Sequence, residues 1–578
     1  MCCRTKEAIL ATNKPLVGPA SFELSNLVLL VAAGLLFLSF GYTEMAGSDM
    51  WWHIAAGREL VQTGTLWMVD DWSFSAHGED WHNHEWLADL LYYGWVSAWG
   101  EQSLVYWKWL VIIATFTLLL TTLVRESGSS LAALVGTGFA LATAAPFLDV
   151  RPHLYSLLLF SLLLHFCLRR RTATWLLALC FVVWVNLHGG FFFGLMALGI
   201  LLFPWRELNL DNFRVALVTG LLCLAACLLN PYGIKAFLYP LAYAFDGSSP
   251  FRGLAEWMSP FKPGGIRSPL FFYLMWAPLA GLLYCLPRVR RELDVPWEGI
   301  VLTALTLAMA LTSRRFIPLF GMSLALMMTP LLALLFRWQV LQKLRLGLAV
   351  LALLFSMLRM VPYNVQAAPN FHYLTAEYSY PVEMANFIEA NGISGNVYAL
   401  YNWGGYLHWR SDGELKVFID GRADTLYDDQ TYLQYLSVLG SREGWLEQLE
   451  ASGADYVLWP HRRADGQGKL NALLATGRWS PVYSDTVSWL LARTSAVLPD
   501  PVPSPPGPWR DLSIGRLSAW AGNYEDAILY AQSVLEQMPW HKGACELLIE
   551  SYRRLGENDK ADQVLFECRT YFPTRYLR

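Results

Sequence analysis

A chain of 578 residues that is 55% hydrophobic and 16% charged, with mean hydropathy +0.32, is too apolar to be one soluble globule. Its charge is concentrated toward the C-terminal end, so a polytopic membrane domain followed by a soluble one is the expected class. The net charge of −4 leaves no basic footprint, which excludes nucleic acid as a partner. The nine cysteines form no CxxC pair and most lie in apolar runs, so a cysteine metal site is excluded; Cys545 and Cys568 lie in the soluble tail and can pair if that tail is extracytoplasmic.

The N-terminal residues 1–24 carry Arg4, Lys6 and Lys14. Apolar runs of bilayer-crossing length follow near 25–43, 103–124, 130–148, 154–168, 172–187, 190–205, 214–230, 269–287, 297–312, 316–336 and 346–362, about eleven spans. Positive charge marks every second connection: Arg125, Arg169 to Arg171, Arg206 with Arg214, Arg288 with Arg290 and Arg291, and Arg337 with Lys343 and Arg345. That alternation places the N-terminus in the cytoplasm and residues 363–578 outside. The first span lacks a small-residue cleavage site and is expected to be an uncleaved anchor.

The first outer loop, 43–102, contains GSDMWWHIAAGRELVQTGTLWMVDDWSFSAHGEDWHNHEW, in which Asp, Glu and His stand between tryptophans. Six of the eleven histidines (His53, His77, His82, His84, His153 and His188) fall at the outer loops and span ends of the membrane domain, which points to one polar site at the outer interface. Asp49 is the candidate general base, with an N-cap by Ser48 or Asp49 the structural alternative. His53 stands one helical turn away, and Asp70 and Asp71 are further catalytic candidates. His82, His84 and Glu85 could complete a divalent-cation site (Mg or Mn) with Asp49 and His53, against the alternative that polar loop residues satisfy one another.

Later outer loops contribute Arg151 and His153, then His188 in Asn186–Gly190, then Asn230, Tyr232 and Glu256. Glycine and proline in NLHGG and NPYG are those of helix-end turns, but they leave the histidine and asparagines unexplained. Arg314 and Arg315, adjacent at an outer span end, oppose the positive-inside bias and suit a lipid-linked phosphate. Snorkelling to headgroups is the alternative.

From 376 to 495 helical and strand patterns alternate. PVEMANFIEANG and EGWLEQLEASG read as helices, and NVYALY, KVFID, DYVLWP and SWLLAR as strands of an α/β domain spanning 363–495. Asn402–Tyr406 and Asp420–Arg422 are expected at strand ends, as binding loops or, for the Asp–Arg pair, as a turn closure. Neither GxGxxG nor a phosphate loop occurs. A proline-rich linker occupies 496–509. In 510–578, Gly522, Ala527 and Pro539 recur thirty-four residues on as Gly556, Ala561 and Pro573, the tetratricopeptide period, so the tail is expected to hold two such repeats and to bind a protein partner or simply to cap the domain.

DMWWHIAAGREL, VDDWSFS, WHNHEWL, RPH, NLHGG, NPYG, EW, NWGGYLHW and VFIDGR together resemble a bacterial branch of GT-C-like membrane proteins, and more distantly the protein O-mannosyltransferases and lipid A aminoarabinose transferases. The resemblance covers roughly 25–495 and is strongest over 47–90. It implies a GT-C-like membrane fold in a bacterial inner membrane and a sugar donor on a polyprenyl phosphate or pyrophosphate. It also implies an acidic residue of the first outer loop that activates the acceptor, for which Asp49 is the matching position. Met50 stands where the mannosyltransferases have a second acidic residue, so sugar and acceptor do not carry over. The rival class is a non-catalytic scaffold or transporter of lipid or saccharide; charges gathered at one interface without duplicated spans favour the enzyme.

Overall fold

The computed structural model describes residues 24–41, 49–169, 173–238, 249–264, 266–337, 345–360, 380–461, 465–485, 487–495, 506–539 and 541–571. The expected cytoplasmic N-terminus, most of the proline-rich linker, Ser48 and Pro573 lie outside these residues.

Helices occupy the expected apolar runs, from Leu24–Gly41 to Arg345–Met360. Three (Leu104–Ser127, Ser130–Phe147 and Arg314–Leu335) are long and apolar enough to cross a bilayer by themselves, and shorter apolar helices accompany them. The run at 269–287 departs from expectation. Helix Pro269–Leu274 gives way to a 3₁₀ stretch, Ala277–Cys285, where Pro278 removes a backbone donor.

Small residues set the bundle's tightest contacts. A Cβ on Gly136 would stand 2.5 Å from the Thr329 hydroxyl, and one on Gly321 would stand 3.2 Å from the Ala140 carbonyl. Thr115, Thr122, Thr303, Thr306 and Thr329 donate to carbonyls four residues back, so these buried hydroxyls are satisfied within their own helices.

The first outer loop is an ordered layer. Helix Asp49–Thr63 packs on helix Trp86–Trp99 because Gly57 lacks a side chain; a Cβ there would lie 2.2 Å from the Asp89 carbonyl oxygen. A short hairpin, β1 (Met68–Val69) and β2 (Asp80–Trp81), lies between them.

The α/β domain contains a sheet of β3 (Gly395–Tyr398), β4 (Leu415–Val417), β5 (Tyr456–Pro460), β6 (Trp479–Ser484) and β7 (Ser488–Arg493). Its order is β4-β3-β5-β7-β6; β3 runs parallel to β4 and β5, and β7 runs antiparallel to β5 and β6. β6 was not among the expected strands, since Pro481 and a register shift beside it break its alternation. Asn402–Tyr406 forms the first turns of helix Tyr401–Arg410, so it is no strand-end loop.

The outer loop covers the exposed edge of this sheet. Ser73 bridges to Val417 of β4, with Phe74 N–H donating to the Val417 carbonyl at 3.0 Å and Val417 N–H to the Trp72 carbonyl at 2.9 Å. Beneath it Arg422 is fully buried between Asp420 (2.7 Å) and Asp70 (2.6 Å), with its guanidinium 4.2 Å from the Trp72 ring. The Asp–Arg pair is therefore a turn closure that also fastens the two layers.

Among the described residues the tail holds four helices: Pro508–Trp520, Tyr524–Gln537, Lys542–Arg554 and Asn558–Tyr571. Gly522 and Gly556 take positive φ (85° and 81°) at the ends of the first and third, which explains their equivalent places in the repeat. Cys545 and Cys568 form a disulfide within the tail's core.

Candidate active site

Asp49 occupies the first turn of its helix, where its carboxylate reaches Arg151 of the membrane domain. Arg151 lies between two acids, its Nε 3.3 Å from Asp49 and its Nη1 2.6 Å from Glu256. The three residues come from the outer loop, the turn before helix His153–Cys167 and the 249–264 loop. Burial works to raise the Glu256 carboxyl, but the charges of Arg151 and Arg315 outweigh it and hold it below the usual range.

The 249–264 loop is fixed from below. Arg314 is buried and its guanidinium donates to the carbonyls of Ser259 (3.2 Å), Gly264 and Lys262. The expectation that Arg314 binds phosphate is corrected by this geometry, because its donors are already committed to the backbone. Arg315 N–H donates to the Glu256 carbonyl, while its guanidinium lies 3.9 Å over the Trp257 ring and is half-buried. Its charge works to lower His84, Glu85 and Glu256 alike, though burial is the larger influence on each.

Behind Asp49, three imidazoles converge on Glu85. His53 Nε2 stands 3.8 Å from Oε2, and His84 and His188 Nε2 stand 3.9 and 3.7 Å from Oε1. His53 Nδ1 shares a 2.5 Å contact with Asp89, whose other oxygen accepts from Asn83 at 2.7 Å. Burial pushes His53 down to about 3 and Asp89 well above the carboxylate range. Both shifts favour an uncharged pair with the Nε2 proton toward Glu85. Burial, with Asp89 and Asp49 beside it, also raises Glu85 well above its usual range. At His188 the Gly190 N–H donates to Nδ1 at 2.9 Å and the Ser156 hydroxyl contacts the same atom at 2.7 Å, so the ring proton sits on Nε2, again toward Glu85.

Burial likewise lowers His84, to about 4 from 6.5. Between those values the unfolded chain binds the proton and the folded chain does not, so this imidazole makes stability fall as pH drops through that window. Glu85 and Asp89, raised, act with the opposite sign. His84→Asn is therefore expected to lose less thermal stability than wild type between pH 7 and pH 5; equal losses would contradict the assignment.

The remaining expected site residues are distributed as follows. Asp70 is not available as a base: it is buried, accepts from Trp72 N–H, Ser73 N–H and the Ser73 hydroxyl, and pairs with Arg422. Asp71 is exposed, 3.7 Å from Lys416 on the far side of the loop. His153 contacts the Phe147 carbonyl at 2.6 Å and shapes the turn that carries Arg151. Asn230 closes its own turn through Cys227, Tyr232 and Gly233. Tyr232 donates to the Leu66 carbonyl and packs against His82 and Trp67. Asp89, one of the outer-loop acids, and Trp257, in the EW motif, are site neighbours to which the sequence assigned no role, and Tyr401 falls at the end of an expected strand; Asp89, lone within the apolar WLADLLYYGW, carried the clearest signal.

Among the described residues no three His, Cys, Asp or Glu side chains form a group that could hold a metal ion. Asp49 is engaged by Arg151, and the imidazoles stand around Glu85.

No protein family matches the chain, and no curated protein does. Among solved structures it is similar to ArnT from Cupriavidus metallidurans in the apo state, at 14% identity and TM-score 0.45, with 81% of this chain and 97% of that chain covered.

Proposed function

We propose that this protein is a membrane glycosyltransferase of the GT-C type, transferring a sugar from a polyprenyl-phosphate-type lipid to a protein or glycan acceptor at the outer face of a bacterial inner membrane. The observation that carries the reading is the Asp49–Arg151–Glu256 array with Arg315 beside it, at one end of an apolar helix bundle and beneath the α/β domain. The sequence resemblance points the same way.

In this reading the Asp49 carboxylate takes the proton of an acceptor hydroxyl. The acceptor oxygen bonds to the anomeric carbon as its bond to the phosphate oxygen breaks. The electron pair leaves with the lipid phosphate, and Arg315 stabilises the charge that develops there. One displacement of this kind inverts the anomeric centre. The transporter reading lacks a specific observation in its favour.

Two adjacent arginines give a sharp test. Arg315→Ala is expected to weaken binding of undecaprenyl phosphate to the purified full chain by about tenfold or more, the loss of one charge-assisted contact. It should leave the unfolding midpoint near wild type, whereas Arg314→Ala frees three carbonyls and is expected to lower that midpoint. Wild-type phosphate binding in Arg315→Ala would remove the donor assignment.

A further inference from the structure

The α/β domain reaches the catalytic carboxylate through positions that only glycine can fill. A Cβ on Gly421 would stand 2.6 Å from Trp52 Nε1 and 3.4 Å from Asp49 Oδ1. One on Gly405 would stand 2.8 Å from Trp52 Cβ and 2.9 Å from its backbone nitrogen. A Cβ on Gly404 would stand 2.5 Å from Asp420 Cβ. The N-terminal turns of helix Tyr401–Arg410 are thus wedged between the Asp420–Arg422 turn and the helix that opens with Asp49.

Tyr401, the first residue of that wedged helix, is half-buried. Its backbone N–H donates to the Tyr435 hydroxyl at 2.9 Å, so the helix start is capped by another residue and the Tyr401 side chain is not needed for that task. Its ring lies 6.1 Å from Tyr432 and 6.3 Å from Tyr435. Tyr432 in turn stacks on Phe251 at 4.1 Å, and Phe251 belongs to the same membrane-domain loop as Glu256 and Trp257. An aromatic row therefore runs from the α/β domain to the loop that bears the acid, and burial, with the charge of Asp49 next, raises the Tyr401 hydroxyl well above its usual range.

Resting on the transferase reading above, we infer that Tyr401 contacts the hydroxyl-bearing acceptor and that the α/β domain is a wall of the active site. A tyrosine offers an apolar face and a polar tip, matching the C–H face and hydroxyl edge of a sugar ring or the side chain of a hydroxyl amino acid. Donor and acceptor then enter from different sides: lipid phosphate from the membrane loops at Arg315, acceptor from the soluble domain at Tyr401. The Arg422 pairing with Asp420 and Asp70 keeps the two walls in register.

The test uses the full chain in a deletion strain, with envelope glycoconjugates read by mass spectrometry, and the purified protein with undecaprenyl phosphate as probe. Tyr401→Ala is expected to lower the saccharide product by about tenfold or more, the equivalent of one lost polar or packing contact, with probe binding within about twofold of wild type. Tyr401→Phe, which keeps the ring, should fall between and guards against a folding defect in the alanine variant. Wild-type product in both variants overturns the inference and leaves the transferase reading standing. Loss of probe binding in Tyr401→Phe, with an unchanged unfolding midpoint, also overturns it by moving Tyr401 to the donor side. A deletion strain that loses no glycoconjugate overturns the transferase reading, and the role of Tyr401 with it.

Discussion

Asp49→Asn is expected to reduce saccharide transfer by roughly 10²- to 10⁴-fold, the usual cost of removing a positioned general base. The amide keeps the size of the carboxylate and can still accept from Arg151, which retains its 2.6 Å pair with Glu256. Folding should therefore survive. Asp49 is partly exposed at a helix start, and losing one charge there costs at most about 1 kcal/mol through the helix dipole. The measurement is product formation per folded protein, with undecaprenyl phosphate binding as control. Full transfer by Asp49→Asn would remove the residue from the chemistry.

Asp70→Ala is expected to destabilise the joint between the outer loop and the α/β domain. Arg422 is completely buried; without Asp70 it keeps Asp420 as its counter-ion, but its Nη1 loses the 2.6 Å contact, and a buried charged donor left without its acceptor costs about 1–3 kcal/mol. The same substitution deprives Trp72 and Ser73 of the acceptor that shapes their turn, beside the point where Ser73 bridges to β4. The expected signature is earlier unfolding together with faster proteolysis at the outer loop, since loop and domain share this joint. An unfolding midpoint within about 1 kcal/mol of wild type would contradict a joint of this kind.

These two aspartates show how far sequence reaches. Both lie in one acidic, tryptophan-rich loop and both are natural candidates for a base. Local pattern separates Asp49, at the start of a helix with His53 a turn away, from the rest of the loop. It cannot show that Asp70 is consumed by Arg422, more than three hundred residues distant. The same limit applies to Arg314 and Arg315, which share chemistry and position in the sequence; the 249–264 loop, folding under one and beside the other, assigns their tasks.

The apolar runs were legible because bilayer length is written in composition, but the run at 269–287, expected as one span, breaks at Pro278 into a short helix and a 3₁₀ stretch. The glycines of NWGG and DGR were legible as special but not as to purpose. They serve close approach to Trp52 and Asp49, a fact of tertiary packing. Tyr401, beside the first of these motifs, drew no notice because an aromatic at a strand end is ordinarily core. The thirty-four-residue repeat located the tail's turn glycines, and the Cys545–Cys568 pairing joins its last two helices.

The most direct test of the central claim is mass spectrometry of envelope glycans, glycolipids and secreted proteins from a deletion strain complemented with wild type or Asp49→Asn. The account predicts one saccharide-bearing species absent from the deletion strain, restored by wild type and not by the variant. Identical glycoconjugates in all three strains would contradict it and favour a membrane scaffold or transporter.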